Sequence, residues 1–99
     1  MFYANYVQDD GTMVGHLFDN YLEYLESVGT IAPVSLIDFK VKGKTYAQKK
    51  DSIRQIAIEY QSSECGGMFG SEYAKVGKWF RLMGKRYGLD DEFMEEGVI

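Results

Sequence analysis

Phe2-Tyr3-Ala4-Asn5-Tyr6-Val7, followed by Gln8 and then Asp9-Asp10-Gly11, decides how this chain is read. The run is rich in aromatic and β-branched residues. Alternation would place Phe2, Ala4 and Tyr6 on one face of a strand and Tyr3, Asn5 and Val7 on the other. Asp-Gly tolerates the positive φ that a tight turn requires, so it marks a hairpin, with residues 12–16 returning as a short second strand.

The period changes after that. Phe18, Tyr21, Leu22, Leu25 and Val28 recur at helical spacing and predict a helix over 17–28. Gly29 stands where a helix C-terminus favours φ > 0. The following loop holds the only proline, Pro33. Residues 34–41 alternate again, with Ser35, Ile37, Phe39 and Val41 on one side and Val34, Leu36, Asp38 and Lys40 on the other. Lys42-Gly43 reads as a turn into a very short further strand.

Thr45-x-x-Gln48 is a capping box, in which each side chain bonds the other residue's backbone N–H. It predicts a helix to about Ser62 with Ile53, Ile56, Ala57 and Tyr60 inward. Residues 62–71 form a glycine-bearing loop. Ser71 is placed to cap the next helix, and Glu72 suits its first turn. Tyr73, Val76, Phe80, Met83 and Tyr87 repeat with 3-4-3-4 spacing along that helix. Gly77 and Gly84 lie beside this stripe. Each costs up to ~1 kcal/mol against Ala in a helix interior, so the pair predicts close approach of another element. Gly88 ends the helix. Asp90 is placed to cap a last helix over 91–96, with Leu89 and Met94 as its hydrophobic staple.

The expected fold class follows from this order. It is a single α+β domain over 1–99, with a small antiparallel sheet of three or four strands, three main helices on one face and a short C-terminal helix. A chain of 99 residues buries roughly 65% of the surface its unfolded form exposes, enough for one core. Hydrophobic content of 45% with one proline argues against disorder. The single cysteine, Cys65, excludes an intrachain disulfide and fits a reducing compartment. No apolar run reaches the ~20 residues of a membrane span. The N-terminus lacks the basic and apolar regions of a signal peptide, so a cytoplasmic location is expected.

Charge is segregated along the chain. The first 39 residues hold six carboxylates and no Lys or Arg. All eleven basic residues lie between Lys40 and Arg86, against four acidic ones over 40–88, and residues 89–99 add five more carboxylates. Such segregation speaks to partners more than the net charge of −4 does.

Two helix faces carry it. Asp19, Glu23 and Glu26, at i, i+4 and i+7, crowd like charges on one face, flanked by Tyr21 and Tyr24. Docking on a basic partner, or pairing with the chain's own Lys and Arg, would relieve the crowding. Lys75, Lys78, Arg81, Lys85 and Arg86 surround Trp79 on a basic helix. Cations with an aromatic side chain suit phosphate contact and base stacking. A pI near 4.9 weighs against a dedicated nucleic-acid binder. The acidic tail, Asp90 to Glu96, is partly explained as a helix start favoured by the dipole.

Other chemistry is poorly supplied. Cys65 adjoins Glu64 and has His16, about fifty residues away, as its only histidine partner, so an unreactive thiol is expected. One Cys and one His do not make a zinc ligand set, and Asp9-x-Gly11 lacks the oxygens of a calcium loop. The Gly-Gly-Met-Phe-Gly run lacks the Lys-Ser/Thr of a phosphate loop. No cofactor is expected.

The expected function is therefore a non-enzymatic protein-binding module. Its partner would present a basic surface, as a nucleic-acid-handling enzyme does. Small acidic inhibitors of the anti-defence type found in phages are the analogous case. The alternative is direct nucleic-acid binding by the helix over 75–86. Self-association, with the acidic 1–39 surface of one copy on the basic 40–86 surface of another, is a third arrangement. No membrane partner is expected.

Overall fold

The hairpin forms where the alternation places it. In the computed structural model, which describes residues 1–63 and 69–99, β1 (Phe2–Val7) pairs antiparallel with β2 (Met13–Phe18). Gly11 takes φ 84° in the turn, and Asp10 accepts the Thr12 N–H at 2.9 Å. β3 (Ser35–Asp38) pairs antiparallel with the other side of β1, giving the order β2-β1-β3. The helices are α1 (Tyr21–Val28), α2 (Tyr46–Ser62), α3 (Gly70–Tyr87) and α4 (Asp90–Glu95). This is the expected small α+β class, with three strands.

No fourth strand follows Gly43 among the described residues. The Lys42 N–H instead donates to Ser52 Oγ and the Lys44 N–H to Gln48 Oε1, both at 2.9 Å. The segment is thereby tied to α2 rather than to the sheet.

Because β1 is central, both of its faces need cover, and its alternation divides the core in two. Tyr3, with Ile37 and Phe39, packs against Ile53 and Ile56 of α2, Val76 and Phe80 of α3, and Phe93 of α4. Phe2 and Ala4 face the other way and pack with Phe18 and Tyr24. The helices thus divide between the faces, α1 on one and α2, α3 and α4 on the other, rather than the three main helices α1, α2 and α3 sharing one.

The first helix also starts later than its spacing suggests. β2 continues through Phe18, which packs in the sheet, and Asn20 caps α1 by accepting the Glu23 N–H at 2.9 Å. The buried line is not the expected Tyr21, Leu22 and Leu25, which are exposed. Tyr24 is fully buried instead, edge-on to Phe18 at 5.2 Å, with its hydroxyl donating to the Ile31 carbonyl at 2.6 Å. The ring of Tyr24 fills the space over Phe2 and Phe18 while its polar tip finds a partner.

The later helices follow their patterns more closely. Thr45 and Gln48 form the capping box of α2. Ile53, Ile56 and Ala57 are buried and Tyr60 half-buried. α3 begins at Gly70, and Ser71 does not cap it; the side chain of Glu72 reaches back to the Phe69 N–H at 2.9 Å. Gly88 closes α3 at φ 67°. In α4 Leu89 occupies the cap position and is buried, Phe93 is the second anchor, and Met94 is exposed, so the Leu89–Met94 staple does not form. Of the two interior glycines, Gly84 meets α4: a Cβ there would stand 2.6 Å from Asp90 Oδ1 and 3.4 Å from the Phe93 ring. Gly77 has only the Arg81 guanidinium at 4.0 Å.

Candidate functional site

The two charged helix faces fare differently. On α1, Glu23 is engaged in its own helix start: its Oε2 accepts the Asp19 N–H at 3.0 Å. Asp19 itself precedes the helix. Tyr24 is in the core and presents no contact surface. What remains outward is Asp19, Glu26 and an apolar strip of Tyr21, Leu22 and Leu25. The five residues singled out from the sequence are close in space but do not form one carboxylate-and-tyrosine face.

α3 presents a more uniform surface. Its inward line is Val76, Phe80, Gly84 and Tyr87. At ~100° per residue, Lys75, Lys78, Arg81, Lys85 and Arg86 fall on the opposite half of the helix, over a length of ~17 Å. All five are exposed. Among the described residues the ion pairs are His16–Glu72, Arg54–Asp51 and Arg54–Glu92, so none of the five has a carboxylate within pairing distance. Glu72, the sole acid of α3, is turned toward the sheet. Lys50 extends the surface around the end of α3: its Nζ would stand 3.9 Å from a Cβ at Gly88, where the helix dipole is negative.

Trp79 does not join these cations as a stacking platform. It is half-buried and meets Phe39 and Phe80 edge-on, each at 5.1 Å. Its bulk closes the margin of the core.

Sequence reasoning missed one cluster. Glu72 Oε1 bonds His16 Nδ1 at 2.9 Å, and its Oε2 accepts the Leu17 N–H from the edge of β2 at 2.6 Å. Burial works to raise the Glu72 carboxyl, but the N–H groups of Phe69 and Leu17 and the His16 ring outweigh it and hold the carboxyl below its ordinary value. Tyr6, close by, is raised by burial and then by the Glu72 charge. No spacing signal joins positions 16 and 72, so the cluster is legible only in three dimensions. Its bonds are spent on joining α3 to the sheet.

The surface depressions are open and shallow. One of about 580 Å³ runs between β3 and α2, with Asp38, Lys40, Lys42 and Glu59 in its walls. Among the described residues no three His, Cys, Asp or Glu stand together as a metal site would require. No described helix is long and apolar enough to cross a membrane. Cys65 lies outside the described residues. Comparison of the chain with protein-family models, with curated proteins and with solved structures gives no match.

Proposed function

We propose that the chain is a non-enzymatic binding module that contacts a polyanion, a nucleic-acid backbone, through the cationic face of α3. The observation that carries this reading is the set of five exposed basic side chains on one helix face without a carboxylate partner among the described residues. Arg54 makes the contrast. Its Nε donates to both oxygens of Glu92, at 2.9 and 3.2 Å, and so ties α2 to α4. The cations of α3 tie nothing, and like charges at i and i+3 or i+4 repel mildly. A helix face that carries this repulsion is well matched to phosphates, whose counterions it would release. The net charge of −4 is compatible with it, because, apart from Glu72, which is turned toward the sheet, the described carboxylates sit away from α3: in the β1–β2 turn, at and before α1, on β3 and α2, and at α4 and its end.

The test is an anisotropy titration with labelled duplex DNA at low salt and again at rising salt. The reading predicts binding that weakens steeply with salt and is lost in Lys78→Glu/Lys85→Glu. Absence of binding at low salt defeats it.

A second reading keeps α1 as a protein-binding surface for a basic partner, the inhibitor-like role. It is favoured by the exposure of Tyr21 at 49%, Leu22 at 64% and Leu25 at 39% beside Glu26, because contiguous exposed apolar side chains with a polar rim mark docking surfaces. Leu22→Asp/Glu26→Lys distinguishes the two. It abolishes capture of a basic protein partner and leaves DNA binding in place.

A further inference from the structure

The sheet has two edges, and they are treated differently. The Phe39 N–H donates to the Met1 carbonyl at 3.1 Å, and Ile37 is registered with Tyr3. Antiparallel ladders alternate, so the odd-numbered residues of β3 bond β1, and the main-chain groups of Leu36 and Asp38 turn away from the sheet. At the opposite edge the outward N–H of Leu17 is held by Glu72. At the β3 edge no described residue takes the outward groups of Leu36 or Asp38.

The space beside this edge is shaped. α2 flanks it and makes the 580 Å³ trough, with the strand on one side and Ile56 and Glu59 on the other. A second depression of about 480 Å³ carries it on past Glu59 toward Val34 and Ser63. The charges along it are ordered. Lys40 and Lys42 stand at the Gly43 end, with Asp51, which is paired to Arg54, across from them. Asp38 on the strand and Ile56 on α2 lie between, and Glu59 stands at the Val34 end, so the trough runs from cationic to anionic.

We propose that this trough binds an extended peptide that adds to β3 as an antiparallel fourth strand. The peptide carries an acidic residue toward Lys40 and Lys42, an apolar residue over Ile56 and a basic residue toward Glu59. Edge addition is a known mode of peptide capture, in which main-chain bonds give affinity and flanking side chains give specificity. The order of charges fixes the direction: acidic, apolar, basic from the peptide's N-terminus, opposite to β3. A second copy of the chain does not fit the same place. A two-fold axis pairing two β3 edges would put both α2 helices on one face of the joined sheet. Each would then stand beneath the strand its partner must insert. A bare segment brings no such helix. This site is independent of the α3 reading, and each survives the failure of the other.

The experiment uses two labelled peptides, Glu-Thr-Val-Thr-Lys and its charge-reversed form Lys-Thr-Val-Thr-Glu, both capped at their termini, in an anisotropy titration with the full chain. The first is expected to bind about tenfold tighter than the second, with the preference lost in Glu59→Lys, where both ends of the trough are cationic, and reversed only when Lys40→Glu and Lys42→Glu are added. Leu36→Pro removes an outward N–H that β1 does not use and is expected to abolish binding. N-methylation of the peptide backbone at Val and the neighbouring Thr tests the same bonds without altering the protein, and is expected to abolish binding too. No binding of the first peptide, equal binding of the two orders, or unchanged binding of the N-methylated form overturns the proposal. So does a salt-independent dimer of the free protein that the peptide fails to dissociate.

Discussion

Glu72 accepts the backbone N–H of Leu17 at 2.6 Å, joining the first turn of α3 to the edge of β2. The same carboxylate takes His16 Nδ1 and the Phe69 N–H, both at 2.9 Å. One half-buried side chain thus satisfies a helix N-terminus, an edge strand and an imidazole at once. Such charge-assisted bonds are about twice as strong as neutral ones.

Glu72→Gln should therefore destabilise the fold by ~1.5–3 kcal/mol at pH 7, the range for hydrogen bonds to a charged group. The pH dependence has a definite sign. The folded carboxyl lies below its ordinary value of 4.5, so its contribution is present above pH 4.5 and fades as pH falls through the lower folded value. Urea unfolding of both proteins between pH 7 and pH 3 checks this. The wild type should lose its advantage over Glu72→Gln at the acid end, and a constant difference would contradict it.

The two interior glycines of α3 should respond oppositely to alanine. Gly77→Ala adds a methyl with only the Arg81 guanidinium near, at 4.0 Å, and should stabilise by ~0.5–1 kcal/mol through helix propensity. Gly84→Ala drives a methyl to 2.6 Å from Asp90 Oδ1 and should cost ~1 kcal/mol or more. Thermal melts of the two variants, compared with wild type, give the signs.

On α1 the exposed and buried aromatic and aliphatic positions should separate cleanly. Tyr24→Ala removes a ring packed on Phe2 and Phe18 and should cost ~3–5 kcal/mol. Leu22→Ala should change stability by no more than ~0.5 kcal/mol, since Leu22 is 64% exposed. Similar losses at both positions would show that α1 docks through another face.

For the α3 surface the salt titration becomes quantitative. If all five cations neutralise phosphates of a duplex, log K should fall with log salt at a slope of about −4.5, and each Lys→Ala should reduce its magnitude by ~0.9. Arg54→Ala should leave the slope alone, because Arg54 is engaged with Glu92.

Much of this architecture is written locally. The alternation of β1, the Asp-Gly turn, the Thr45–Gln48 box and the φ > 0 site at Gly88 each depend on neighbours a few residues apart, and each is found where the sequence puts it. The inward face of α1 is not local. Tyr21, Leu22, Tyr24 and Leu25 are all large and apolar enough to be buried. The choice falls to Tyr24 only because β2 runs on to Phe18 and the helix starts at Asn20. The same shift moves Glu23 from a docking face to a helix start. The side of the sheet that α1 covers depends on β1 being central, which local spacing does not state. The five cations of α3 were legible from helical spacing, whereas their lack of partners and the withdrawal of Trp79 into the core are tertiary facts.

The difference between the two sheet edges has a consequence for assembly. Strand-by-strand polymerisation needs two growing ends, one on each side of the monomer, so that every added unit offers a fresh template. Here an approaching strand meets the Glu72 carboxylate at Leu17 on one side and bare main chain at Leu36 and Asp38 on the other. The two edges are therefore not equivalent templates: a strand added at β3 finds open main chain, whereas one approaching β2 must displace the Glu72 carboxylate from Leu17 to complete its ladder.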